Sequence, residues 1–539
     1  MNNIEIQLND FIQNFEARVK ELASNAHLAY YNASISGKPE DYNYASKLQL
    51  DLEKTFADKS DFKLLKEFKK SQKIEEPFLK RQLSLLYNAY AGNQIEETLL
   101  EEIIGLSTKI EQKFSTFRAP LESKELTDNE IDKILDESTD NEELEKVWNA
   151  SKLVGEEVYE DVIKLVKLRN KAAKQLGYTN YHEMSLLLSE QNVEEIKLLF
   201  DKLDDLTKSE FSKLKGEMDL YLSRLYKIDK DELMPWNYQD KFFQQGPAIY
   251  DLNIDSLFEK NDIEKITNDY FSGINLDIND ILEKSDLYEK HGKYQHAYCT
   301  NINREGDVRV VCNIKPNSRW MSTMLHEYGH AAYEKFISRK IPWLLREPAH
   351  IFTTEAIAML FGRLIYNPYW LRTQIDAEVN EIKNVVNSGY KALKLEQLIF
   401  SRWVQVVFRF ERELYSNPDQ DLNKLWWTLV EKYQQLKKPQ GRNKPDWAAK
   451  IHIALYPAYY HNYILGELLA SQLHYYICEK VLKVNPNETS FSNDERIGGY
   501  LKHLYFSYGS TLHWSDLIKH ATGEELSPKY YAKQFVNSQ

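Results

Sequence analysis

Cysteine is nearly absent. Cys299, Cys312 and Cys478 are the only three in 539 residues, which excludes a disulfide framework and points to a reduced, cytoplasmic protein. Glycine (19) and proline (15) are also scarce. A chain so poor in breakers does not read as many short strands and turns; it reads as long helices. No apolar run reaches the roughly 18 residues that a membrane-spanning helix needs. Basic residues are outnumbered, 69 Lys and Arg against 82 Asp and Glu for a net charge of -13. That removes the positive face expected of a nucleic-acid binder. The first residues, MNNIEIQLNDFIQNFEARVK, lack the basic-then-apolar order of a secretory signal. No internal repeat, low-complexity tract or linker divides the chain.

What is plentiful is helical periodicity and aromatic side chains, with 35 Tyr and 10 Trp. Leu8, Phe11, Ile12, Phe15, Val19 and Leu22 recur at three-to-four spacing, the stripe of an amphipathic helix. Similar stretches are read over 162–176, ending at Gly177, and over 192–226, 382–414, 422–436, 457–481 and much of 496–535. Residues 235–247 break the pattern with Trp236, Tyr238, Phe242 and Phe243, an aromatic loop suited to packing or to a pocket wall. One β-hairpin is expected at 293–314, turning tightly at Glu305-Gly306 and setting Cys299 opposite Cys312. These two cysteines read as an apolar reduced pair, with a disulfide as the alternative.

The chemistry concentrates in His326-Glu327-Tyr328-Gly329-His330. Positions i and i+4 share a helix face, so two imidazoles can hold one zinc ion while the intervening glutamate acts on water. A catalytic zinc takes three protein ligands and keeps one position open. Glu355, on the apolar stretch Thr353-Thr354-Glu355-Ala356-Ile357, is the candidate third ligand, because a buried carboxylate needs a partner.

Beyond the zinc motif, His326-Glu327-x-Gly329-His330, Leu345-Arg346, Glu355-Ala356-Ile357, Asn170-Lys171-Ala172-Ala173, His296-Ala297, Trp426-Trp427, Lys450-x-His452, Tyr460 and Tyr463 stand in an order that resembles the angiotensin-converting-enzyme (peptidyl-dipeptidase A) family. The similarity extends over roughly residues 10–535. The resemblance implies a mainly α fold: one helical ellipsoid of two lobes around a deep central cleft, with a small hairpin beside the zinc helix. The whole chain, 1–539, would be one catalytic domain, with 1–130 as an N-terminal helical lid and 290–480 carrying the zinc site and substrate pocket. The implied activity is zinc-dependent release of C-terminal dipeptides from oligopeptides. Position by position, His326, His330 and Glu355 would hold one Zn2+ and Glu327 would be general base and then proton donor. His452 and Tyr463 would stabilise the oxyanion. Lys450, Tyr460 and Gln239 would bind the substrate's terminal carboxylate, and His296 and Ala297 would fix its backbone. Lys450 as a surface lysine, His296 as a plain strand residue, and His452, Tyr460 and Tyr463 as packing groups are the competing readings.

Several positions depart from the family. Gln239 is the nearest match to a glutamine that completes the carboxylate pocket, where a carboxypeptidase member has arginine. Glu467 replaces an aromatic, which predicts tolerance of, or preference for, a basic C-terminal residue. Val430, Asn462 and His182 stand at the chloride-binding arginines, so chloride dependence is not expected. Met359 replaces an aspartate that steadies a zinc-ligand histidine. A thimet-type oligopeptidase or a zinc carboxypeptidase is the enzymatic alternative, and a peptide-binding scaffold with structural zinc is the other. Oligopeptides are the expected partners, without nucleic acid or membrane; oligomeric state is not read from the sequence.

Overall fold

The computed structural model describes residues 1–122, 124–250, 252–375 and 379–536. It is mainly α, with two small antiparallel hairpins as the only sheets among the described residues. The chain divides into two compact units. The first comprises Met1–Gln94, Leu252–Tyr390 and Leu465–Tyr531, and the second Ile95–Asp251, Lys391–Ile464 and Ala532–Gln539. No helix among the described residues is long and apolar enough to cross a membrane.

The first unit opens with the helix Asn3–Ser36, whose stripe Leu8, Ile12, Phe15 and Val19 is buried. A capping box of Asn2 and Glu5 starts it by satisfying amides that have no intrahelical partner. The unit's hairpin pairs Tyr298–Asn301 with Val308–Val311. Its register puts Cys299 opposite Val310, not opposite Cys312 as the tight-turn expectation had it. The loop is longer: Arg304 and Gly306 both take left-handed backbone, and Ile302 N–H closes it on the Asp307 carbonyl at 2.8 Å. Cys299 and Cys312 are free thiols. Lys293 anchors the segment ahead of the hairpin. Its fully buried ammonium donates to Asp286 Oδ1 (2.7 Å) and to the carbonyls of Asp286, Tyr288 and Cys312 (2.9, 2.8 and 2.5 Å).

The second unit is built on Leu153–Gln175, Val193–Tyr226, the latter part of Val379–Ser416, and Leu422–Tyr433. Trp403, Trp426, Phe410 and Trp447 form an aromatic core of edge-to-face and tilted pairs, an arrangement favoured by ring quadrupoles. The aromatic loop does both things expected of it: Phe242 packs on Trp403 and also lines a cavity. A hairpin at Ala119–Leu121 and Lys124–Leu126 was not foreseen. Its three-residue strands are too short for an alternating pattern to register.

Candidate active site

In the first unit, the helix Ser318–Phe336 carries the HExxH segment, capped by Asn317. Its His326 and His330 rings are 4.9 Å apart. Glu355 lies on the neighbouring helix, Ile351–Gly362. The two helices meet where Gly329 faces Ala358: a Cβ there would lie 3.0 Å from the Ala358 Cα. Glycine within the motif is thus what lets the backbones approach. On the far side of Glu355, a Cβ on Gly466 would sit 3.1 Å from the Glu355 Cβ. The outcome is a compact trio. Glu355 Oε2 is 3.7 Å from His326 Nε2 and 3.9 Å from His330 Nε2, and all three ligand atoms lie within 4.8 Å of one another.

Burial sets the charges. It pushes His326 down to about 4 and His330 well below its ordinary value, the latter with help from His326. Both imidazoles are therefore neutral near pH 7, the form that donates to a metal. Glu355 is pushed up to about 7 by burial and then by Glu467. Glu327, 8% exposed, is pushed up to about 8 by burial and then by Glu355, against the Cys299 backbone amide. Two carboxyls and two neutral imidazoles thus share one partly buried spot, with Glu327 buried and the other three of intermediate exposure. A tetrahedral zinc with bonds of about 2.0–2.1 Å spaces its ligand atoms by roughly 3.3 Å; Glu355 Oε2 stands within about 0.6 Å of that spacing from each imidazole, and the trio as a whole, within 4.8 Å, would draw in around the ion. His330 Nδ1 is held by Thr354 Oγ1 at 2.7 Å, which leaves Nε2 as its ligand nitrogen.

The second unit assembles a different constellation. Lys450, 9% exposed, donates from Nζ to Gln244 Oε1 at 2.6 Å, and Tyr460 OH approaches the same oxygen at 3.5 Å. Gln244, Lys450 and Phe242 line a cavity of about 820 Å³. Burial draws the Lys450 ammonium down to about 8. His452 follows on the short helix Ile451–Leu455, its ring 5.1 Å from that of Tyr460, and Tyr463 packs on Tyr460 at 5.4 Å. Burial, and then Lys450, bring His452 down to about 4, so its imidazole is neutral at pH 7.

Gln239 lines the same cavity as Lys450, but its hydrogen bonds go elsewhere. Its Nε2 donates to the Asp136 carbonyl (3.0 Å) and its Oε1 accepts from Ala248 N–H (3.2 Å). The glutamine that meets Lys450 is Gln244. A break in helical pattern hides how the chain winds, and left-handed residues at Gln239 and Phe243 shift the side chains relative to a regular count. His296 and Ala297 lie just ahead of the strand that starts at Tyr298, with His296 exposed and its ring 5.4 Å from Tyr294.

The profile of the angiotensin-converting enzyme family matches residues 2–214 and 251–534. The chain belongs to this family. It is 22% identical to an angiotensin-converting enzyme of Haematobia irritans exigua over 456 residues, covering 76% of this chain and 72% of that protein. It is 24% identical to the mouse angiotensin-converting enzyme-like protein Ace3 over 247 residues, 44% of this chain and 33% of the relative. It is also similar, at 30% over 126 residues (22% of this chain, 14% of the relative), to a Caenorhabditis elegans protein named an inactive angiotensin-converting enzyme-related protein. The matched stretch thus spans about a third of the mouse relative's length.

The angiotensin-converting enzyme family is one of zinc-dependent peptidases, and the departures from its pattern can be read in the structure. Glu467 is not a free acid: Arg363 Nη2 pairs with its Oε2 at 2.8 Å, both side chains nearly buried. A carboxylate already matched by a guanidinium offers no bare charge, so the basis for a basic C-terminal preference is lost. Thr354 stands on a ligand histidine in the role sought for the missing aspartate; its place one residue before Glu355 was visible in the sequence, its direction was not. The three residues that the resemblance sets at the chloride-binding arginines are neutral groups. Val430 is buried, Asn462 accepts from Gln191 at 2.8 Å, and burial brings His182 down to about 3.

Proposed function

We propose that this chain is a zinc-dependent peptidyl-dipeptidase that releases C-terminal dipeptides from oligopeptides, without a need for chloride. The observation that carries the reading beyond family membership is Lys450. A buried ammonium is costly unless matched by an anion, and here the hydrogen-bond partner at 2.6 Å is the neutral amide of Gln244, at a cavity wall. The carboxylates of Asp240, Asp128 and Asp132 act on it electrostatically, through space, and a peptide's terminal carboxylate would supply a direct charged partner. Lys450 and Tyr460 donate to it through charge-assisted hydrogen bonds, and Gln244 can turn its amide nitrogen to the same group. An enzyme that reads a chain end in this way is an exopeptidase.

His326, His330 and Glu355 would hold the zinc, which when bound supplies Lewis acidity toward the scissile carbonyl and its attacking water. Glu327 takes the proton from that water and passes it to the leaving amine, general base and then general acid on one carboxylate. Its poise suits the task, since burial keeps its proton affinity close to working pH. His452 and Tyr463 donate to the oxygen that becomes negative, each worth roughly 2.7–4 kcal/mol by analogy with other oxyanion donors. His296 and Ala297 hold the substrate backbone by strand-like pairing.

The test is the product pattern of one decapeptide offered as free acid and as C-terminal amide. Dipeptides released from the free acid alone support the proposal. Internal cleavage would favour the thimet-type reading and single residues the carboxypeptidase reading. Zinc bound with no cleavage of either peptide would favour a binding scaffold.

A further inference from the structure

His452 has an unusual support. A histidine that works through Nε2 is ordinarily oriented by a hydrogen bond at Nδ1. Here Nδ1 is buried and has no hydrogen-bond partner among the described residues. The ring therefore takes its place from the backbone beneath it and from the neighbouring Tyr456 and Tyr460 rings. That backbone is the five-residue helix Ile451–Leu455, too short to hold its shape alone. The last carbonyls of a helix have no intrahelical partner, and two of them are claimed by one residue. Arg169, 6% exposed, donates from Nη1 to the Ala454 carbonyl (3.3 Å) and from Nη2 to the Leu455 carbonyl (3.2 Å). Its Nη1 also reaches Tyr415 OH at 3.1 Å. Three residues past the helix, Ala458 is left-handed, a disfavoured state that persists only where the surroundings fix the chain.

We infer that Arg169 is a positioning residue for catalysis: its guanidinium clamps the end of the 451–455 helix and so sets where His452 presents its donor nitrogen. The inference rests on the proposed peptidase reading for its consequence, though not for its geometry. A planar fork can serve two carbonyls and a phenol at once, which an ammonium cannot. Arg169 touches no group assigned to the substrate, so its loss should act on the chemical step more than on carboxylate binding.

The experiment uses the full zinc-loaded chain. Arg169→Ala and Arg169→Lys should lower kcat by about ten- to hundredfold, the scale of a misplaced catalytic group, with KM within about twofold of the parent. Millimolar guanidinium should restore part of kcat to Arg169→Ala and none to Arg169→Lys, whose ammonium still fills the site. If Arg169→Ala does not fold, Arg169→Lys decides alone. Parental kcat in a folded variant overturns the inference, as does equal loss in kcat and in thermal midpoint without guanidinium rescue. A second readout needs no turnover. With 13C-labelled histidine, the His452 signal, assigned by its absence in His452→Gln, should move in both Arg169 variants; an unmoved signal overturns the inference. Failure of the parent enzyme to cut any peptide would instead sink the peptidase reading, leaving the ring measurement to judge Arg169.

Discussion

The candidate metal-binding region of the first unit and the proposed carboxylate-binding region of the second are organised in opposite ways. In the first, three ligands come from two adjacent helices, and the spacing of two of them follows from helix pitch alone. In the second, Gln244, Lys450 and Tyr460 come from a loop, a helix start and a connecting segment. The first region is partly buried, with imidazoles neutral near pH 7 beside a carboxyl pushed up to about 7; the second has a buried cation that donates to a neutral amide. A pre-shaped metal site can rely on local periodicity. A site that grips a chain end needs charges brought from far apart, and its residues are fixed by tertiary contacts.

The strongest test of the first half is Glu327→Gln. It should cut turnover by about 10²–10⁴-fold, the usual scale for a general base, while metal analysis still finds one zinc per chain. Loss of zinc along with activity would mean that Glu327 belongs to the metal's support. Thr354→Val removes the partner of His330 Nδ1 and should weaken zinc binding about 10–100-fold, read by competition with a chelator. Unchanged affinity would take Thr354 out of the metal's support altogether.

Lys450→Met should raise KM for free-acid peptides by roughly ten- to hundredfold, matching about 1.5–3 kcal/mol for a charge-assisted hydrogen bond. An equal effect on the small activity toward an amidated peptide would show that the lysine does not read the carboxylate. The same group predicts a pH limb. Burial lowers its value to about 8, so the free enzyme holds the charge below that pH and loses it above. Accordingly kcat/KM for free-acid peptides should fall as pH rises past about 8, and this limb should be missing in Lys450→Met. The smallest effect concerns the last substrate residue. With Glu467 paired to Arg363, peptides ending in Arg and in Phe should turn over within a few-fold of each other. A marked preference for Arg would show that some other acid faces that side chain.

Much of this was legible in advance, and unevenly. The HExxH helix, Glu355 and the long helices at Asn3–Ser36 and Val193–Tyr226 follow a period that packing does not disturb. Lys450, His452, Tyr460 and Tyr463 were found by likeness to a family pattern, since nothing in local periodicity singles them out. Gln244, which hydrogen-bonds Lys450, was not singled out beside Gln239, because the intervening turn contains left-handed residues. Glu467 was misread because its partner, Arg363, is distant in sequence.

By itself the sequence determined the helical class and the residue types for one candidate metal site. These depend on composition and on spacings within a few turns, where backbone geometry leaves little freedom. Only the tertiary structure decided which glutamine meets Lys450, which carboxylate is already neutralised, which hydroxyl holds His330, and what supports the helix under His452. Each of those is a contact between segments far apart along the chain, and such contacts are chosen by packing and charge matching in three dimensions.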